Sequence, residues 1–259
     1  MSFLGREEDS HQLSGTNYPL YTMSTFNIPN KVYDKLDSMA RRFWWKPNQQ
    51  EGRFMTWRAW EKLCYPRSAG GLGFKKSKSI NSALLAKLAW MVASKRDSLC
   101  LRILRAKYKV KKDWLQAEAT KNALPIWKAI EGARAIVRKG ACFLISDDEF
   151  VDIWLDPWVP WVHNFIPSPR VDSTAQLPMK LAHLIDHELH TWKTSLVLNM
   201  FNPNSAEAIL SVPIPSRPRP DKLIWIPDSK GCFSVKSAYK DLISIYPAQD
   251  TTDVNWSKI

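Results

Sequence analysis

The chain has 259 residues, 45% of them hydrophobic and 24% charged, with a net charge of +12; this is enough for a real core in one large domain or two small ones, and it excludes long disorder. No run of about 18 apolar residues exists, and MSFLGREEDS at the start lacks a charged region followed by an apolar one; a spanning helix and a secretory leader are excluded, and a soluble intracellular protein is expected. Cys64, Cys100, Cys142 and Cys232 are far apart with no C-x-x-C pair, so zinc ribbons and dense disulfide frameworks are excluded too, and reduced thiols are expected.

In chain order, residues 1–17 read as a disordered extension and residues 18–140 as a basic helical region. Val32, Leu36, Met39, Ala40 and Phe43 form an apolar stripe at helical spacing, with Asn30 able to cap it. A short helix is predicted over Trp57–Cys64, capped by Thr56 and ended by Pro66. Gly70, Gly71 and Gly73 follow as the φ > 0 positions of a tight loop. A long helix over Ser77–Lys95 is expected to bury Ile80, Leu84, Leu88 and Met91. Another over Ser98–Tyr108 carries Leu99, Ile103 and Leu104. A third starts at Pro125, a good first helical residue, and ends before Gly140.

Residues 141–211 read differently. Cys142–Ile145 and Phe150–Trp154 are predicted to pair as a hairpin through the acidic turn Ser146-Asp147-Asp148-Glu149. Asp156–Pro169 reads as a Pro-rich surface loop pinned by Trp154 and Trp158. Helices are predicted over Met179–Leu189, Trp192–Met200 and Ser205–Leu210. Residues 212–259 open on an extended linker with Pro213, Pro215, Pro218 and Pro220. A hairpin of Leu223–Ile226 with Cys232–Val235 and a helix over Lys236–Ile245 complete the pattern. The fold class is therefore mainly α, α+β overall: a helical bundle first, then helices with short hairpins.

The charge is unevenly placed. Residues 31–140 hold 26 Lys and Arg against 8 Asp and Glu, while residues 141–259 hold 10 against 14. Such concentration is the footprint of a surface that meets polyanions. Arg102, Arg105, Lys107, Lys109, Lys111 and Lys112 follow one predicted helix. Lys75, Lys76, Lys78 and Lys87 precede or decorate the long one, and Arg41 and Arg42 close the first. Converging on one face, these cations would track a phosphate backbone; solvated helix faces are the competing account. Trp44, Trp45, Trp57, Trp60, Trp90, Trp114 and Trp127 lie among them. They are either core residues or platforms for stacked bases.

Other constellations carry less. The Asp147-Asp148 turn lacks the aromatic and the third carboxylate that two-metal phosphoryl transfer needs, so it is read as structural. His183, His187 and His190 would share one helix face, where a pair could bridge zinc, but the order is not H-E-x-x-H and a solvated face accounts for them. Gly70–Gly73 has no G-K-[ST] ending and is not a phosphate loop.

Three runs in order form a fingerprint: Trp57-x-x-Trp60-x-x-Leu63-Cys64-x-Pro66 leading through Gly70-Gly71-Leu72-Gly73-Phe74 into Asn81-Ser82-Ala83-Leu84-Leu85-Ala86-Lys87; VDIWLDPWVP at Val151–Pro160; and FSVKSAY at Phe233–Tyr239. With Tyr18-Pro19-Leu20-Tyr21-Thr22-Met23-Ser24, they resemble the region that follows the polymerase core in plant LINE-type (non-LTR) retrotransposon reverse transcriptases. In that family the acidic turn is usually Gly-Asp-Gly or Gly-Asn-Gly. The resemblance implies an isolated middle piece of an RNA-directed DNA polymerase polyprotein, without the polymerase, zinc-binding and ribonuclease H segments. It implies no catalysis, no cofactor or metal, no small-molecule substrate and no membrane, with RNA or DNA as partner and the nucleus as location if the parent element is a guide. The alternative is a structural linker with no surviving binding activity.

Overall fold

Alanines at helical spacing mark the centre of the molecule. A computed structural model describes residues 17–45, 55–67, 70–111, 113–145, 151–171, 180–215 and 222–243. Within these it is mainly α with small antiparallel sheets, as the sequence predicts. The predicted acidic turn, Lys112, Pro218, Pro220 and the N-terminal extension lie outside the described residues.

Helices α1 (Asn17–Thr25), α2 (Asn30–Trp45), α3 (Trp60–Leu63) and α4 (Ser77–Ala93) open the fold. Ala83, Ala86 and Ala89 of α4 are fully buried together with Asn81, Leu85 and Val92. Small residues let several elements close on α4 at once, namely α1, α2, α5 (Leu99–Lys107), α6 (Pro125–Gly132), α7 (Arg134–Arg138) and α10 (Val235–Leu242). The predicted stripe of Ile80, Leu84, Leu88 and Met91 is only half-buried. A helix that is apolar nearly all round is buried on more than one face, so a single stripe understates it.

The α2 stripe needs a similar correction, because Val32, Met39 and Phe43 are exposed while Tyr33 is buried. A polar anchor decides the rotation of this helix. Asn81, buried in α4, accepts from the Tyr33 hydroxyl, and its amide donates to the carbonyls of Met23 and Phe26. One side chain thus joins α1 and α2 to the central helix. The glycine loop behaves as predicted at Gly70 and Gly73, both at φ +75°. Gly71 serves close approach instead, since a Cβ there would lie 2.0 Å from the Tyr65 carbonyl oxygen. The helix predicted over Trp57–Cys64 shrinks to one turn after Ala59, and Trp57 is exposed. The helix predicted from Pro125 to Gly140 divides into α6 and α7 at Ala133.

Strand β1 (Ala141–Leu144) does not pair with residues 151–154, the described part of its predicted partner. It runs antiparallel to β4 (Lys222–Trp225), with Ala141 opposite Trp225 and Leu144 opposite Lys222. Nor does β4 pair with Cys232–Val235. Trp225 N–H bonds the Gly231 carbonyl across a turn, and the chain then enters α10 through a capping box of Ser234 and Ser237. Trp225 and Tyr239 seat on Ala83, so the end of the described chain packs on the first half.

A second core gathers Val151, Ile153, Trp158, Leu184, Phe201 and Ile209, with α8 (Thr194–Met200) and α9 (Pro203–Ser211) over it. Phe143 of β1 packs against both cores. The predicted surface loop after Asp156 turns inward, burying Pro157, Trp158, Val159 and Pro160. Trp158 Nε1 donates to the Ile153 carbonyl at 2.9 Å, and Trp154 packs on Phe201, so both tryptophans pin the segment as expected.

Candidate nucleic-acid interface

The structure divides the predicted cations between the two ends of α4, a 17-residue helix about 25 Å long at 1.5 Å per residue. Only Lys78 and Lys87 are exposed along it, and a nine-residue separation at 100° per residue puts them about 180° apart. The helix itself is not a continuous basic track.

At its N-terminal end Arg41 and Lys75 make contacts within the fold. Asp37 of α2 accepts from Ser77 N–H at 3.1 Å and Ser77 Oγ at 2.6 Å, placing a carboxylate at the positive end of α4. Arg41 Nε, one turn on, donates to the Asp37 carbonyl. Lys76 N–H donates to Tyr239 Oη at 3.0 Å, and Lys75 Nζ lies 5.6 Å from the Tyr239 ring centroid. Burial of that phenol pushes its pKa up to about 12, so it stays protonated. Arg42 and Lys78 are exposed.

The C-terminal end is denser. Between residues 95 and 111 stand Lys95, Arg96, Arg102, Arg105, Lys107, Lys109 and Lys111, against Asp97 alone. Asp97 pairs with Arg102 at 3.5 Å, but both side chains are largely exposed, so the pair neutralises little. Lys107 lies over the Tyr108 ring, which stacks on buried Trp127 at 4.5 Å. Arg105 is bound on one side: its Nη2 donates to the carbonyls of Met91 and Arg96 at 3.0 and 2.8 Å, closing the end of α4. Lys95 and Arg96 are absent from the predicted set. Their signal is the K-R-D run just past a long apolar helix, where cations complement the negative helix end. Lys95 and Lys109 both adopt left-handed backbone, φ 53° and 47°.

A cavity of about 260 Å³ opens between these segments, lined by Lys95, Arg105, Lys111, Asp113, Trp114 and Phe143 among others. The loop bearing Trp114 is held from behind. Arg134, buried on α7, donates from Nη1 to the carbonyls of Trp114 and Ala117 at 2.8 and 2.7 Å, and its guanidinium lies 5.3 Å from the Trp114 ring centroid. Burial pulls its pKa below the usual guanidinium range, and Glu131 at 3.8 Å opposes that shift. Glu131 also accepts from Thr120 N–H and Thr120 Oγ. Two buried charges thus fix residues 113–120.

Other predicted candidates fall differently. The helix expected over Met179–Leu189 is absent where described. A 3-10 turn at Leu181–Leu184 leads into strand β2 (Ile185–Asp186), a turn, and β3 (Thr191–Trp192). Asp186 Oδ1 accepts from the N–H groups of Glu188 and Leu189, a local bond that competes with helix, so the three histidines share no helix face. Among the described residues no group of three or more His, Cys, Asp or Glu side chains is placed to hold a metal. Cys64 and Cys142 are buried, and burial pushes the Cys64 thiol up to about 12, which removes it as a thiolate nucleophile near neutral pH. Of the tryptophans among the cations, Trp60, Trp114 and Trp127 are buried, Trp45 and Trp90 half-buried, and Trp44 and Trp57 exposed. No helix of the described residues is long and apolar enough to cross a membrane.

No family model and no solved structure matches the chain. Among curated proteins it is similar to the "Putative ribonuclease H protein At1g65750" of Arabidopsis thaliana, 26% identical over 241 residues, which is 88% of this chain and 37% of that protein. The chain thus spans well under half the length of that relative. It is 31% identical over 142 residues to the "Uncharacterized mitochondrial protein AtMg00310" of the same plant, covering 54% of this chain and 92% of that one. At that identity and coverage, the chain belongs to the family of the mitochondrial protein AtMg00310.

Proposed function

We propose that this chain is a noncatalytic module derived from a LINE-type retroelement, and that it holds RNA or DNA on the basic face made by the end of α4, by α5 and by the segment after it. The observation that carries this is the run of seven cations against one carboxylate between residues 95 and 111, folded around two helix ends. Field from cations on adjoining segments adds over a face. The fingerprint runs and a relative named for ribonuclease H support the retroelement origin. A scaffold without nucleic-acid contact is the second reading, favoured by the internal bonds that occupy Arg41, Lys75 and Arg105.

Titration of the protein into labelled duplex DNA across salt concentrations tests the proposal. Engagement of about five phosphates gives a log-log slope near −4.5, at about −0.9 per phosphate. Binding that stays undetectable at low salt would overturn it in favour of the scaffold.

A further inference from the structure

The residues of α2 sort into rows with different surroundings. Tyr33, Asp37 and Ala40 form the row that ties the helix down: Tyr33 bonds Asn81, Asp37 accepts from Ser77, and Ala40 packs against the cluster of Trp60, Leu63 and Cys64. The adjoining row is apolar and turned to solvent, with Val32 42%, Met39 59% and Phe43 56% exposed and Leu36 half-buried. Beyond it lie Lys31, Lys35, Ser38 and Arg42, all exposed. At 100° per residue, successive rows are centred about 100° apart. Of the whole helix only Tyr33 is buried, so α2 is held mainly by polar bonds while its large apolar side chains face outward. Single exposed apolar residues are ordinary, but a contiguous row of them marks a surface for a partner.

Spacing and charge specify that partner. Steps of four, three and four residues from Val32 to Phe43 are those of a coiled-coil seam, into which a facing helix sets its side chains. The row covers about 60° of the helix, against the roughly 100° or more of a face that seats on a broad apolar surface. A second copy of the chain fits poorly. Packed antiparallel, it would set its own Lys35 and Arg42 against the first pair; packed parallel, it would need the flank of Tyr33 and Ala40, which the fold already occupies. We infer that α2 docks an amphipathic helix of another polypeptide, with apolar residues on the Val32–Phe43 row and carboxylates against Lys35 and Arg42. Opposite charge beside an apolar seam fixes the register of such a pair and speeds its encounter. The row spans eleven residue steps, about 17 Å, which three turns of the partner cover. This surface lies at the N-terminal end of α4, where Asp37 meets Ser77, and does not depend on the nucleic-acid reading of the other end.

The test uses three labelled three-heptad peptides at physiological salt, read by fluorescence anisotropy: leucine at the seam positions with glutamate beside them, leucine with lysine, and serine with glutamate. The leucine–glutamate peptide is expected to bind at micromolar concentration, about tenfold or more tighter than either of the others. Met39→Glu should abolish that binding, and Lys35→Glu with Arg42→Glu should pass the preference to the leucine–lysine peptide, each at an unchanged thermal midpoint. If Met39→Glu impairs folding, Val32→Glu tests the same row one end along. Equal binding of either other peptide, binding that survives a folded seam variant, or binding to none of the three overturns the proposal. Two further results would reassign the row and overturn it as well: a dimer in sedimentation velocity that Met39→Glu dissociates, or co-sedimentation with phosphatidylserine vesicles that the same variant loses.

Discussion

The two ends of α4 carry similar charge and use it differently. At the N-terminal end, Asp37 accepts from Ser77, Tyr239 accepts from the Lys76 backbone N–H, and Lys75 lies over the Tyr239 ring, contacts that join α2, α4 and α10. At the C-terminal end, seven cations crowd two helix ends, with a clasp beneath and a cavity between. The joint at one end is made by Asp37, Ser77 and Tyr239, with Lys75 as its cationic member, while at the other end cations outnumber carboxylates seven to one. Counting lysines along a sequence cannot separate these roles, because the difference lies in which carboxylates, carbonyls and rings the fold brings within reach.

The comparison is broken most forcefully at the clasp. Arg134→Leu leaves Glu131 buried without its cation and frees the carbonyls of Trp114 and Ala117; a loss of about 3–5 kcal/mol is expected in urea denaturation. Nucleic-acid affinity at the C-terminal end should fall with it. Asn81→Ala acts at the other end, removing the donor to the Met23 and Phe26 carbonyls and one of the two acceptors of the Tyr33 hydroxyl, for about 2–3 kcal/mol. Nucleic-acid binding measured well below its melting temperature should be unchanged, because the basic face lies at the far end of α4.

Charge reversal sharpens the contrast with a smaller effect. Arg102→Glu with Lys107→Glu should weaken duplex binding about tenfold or more and flatten the salt slope by about 0.9 for each phosphate no longer engaged. Lys75→Glu with Lys78→Glu, which reverses the same number of charges at the other end, should change the slope less. Equal slopes for the two pairs would show that both ends meet the polyanion. The smallest effect is chemical. Brief alkylation of native protein at pH 8, read by mass spectrometry, should modify exposed Cys100 and Cys232 and spare buried Cys64 and Cys142.

Elements with strong local signals are legible in the sequence. Helix α4, the start of α5 near Ser98, the Pro start of α6 and the left-handed Gly70 and Gly73 all follow from short-range chemistry. Long-range choices are not. β1 finds its partner some 80 residues away, and nothing in Ala141–Leu144 distinguishes β4 from the nearer Phe150–Trp154. Helical spacing over the histidines loses to the Asp186 side chain and to His190 at φ 49°. In α2 the register follows Tyr33 because its hydroxyl reaches Asn81 in another helix. The candidate site is half legible: the cations of α5 stand out by composition, whereas Trp114 reads as core until Arg134 and the cavity give it a place.

The ladder between Ala141–Leu144 and Lys222–Trp225 sets a minimum length for a copy of this sequence that can survive in a cell. A version that stops before residue 222 would present β1 as a bare edge and uncover the alanine face of α4 on which Trp225 and Tyr239 rest. Such products invite aggregation and proteolysis. Frameshifts and stop codons upstream of that strand would therefore abolish the folded protein.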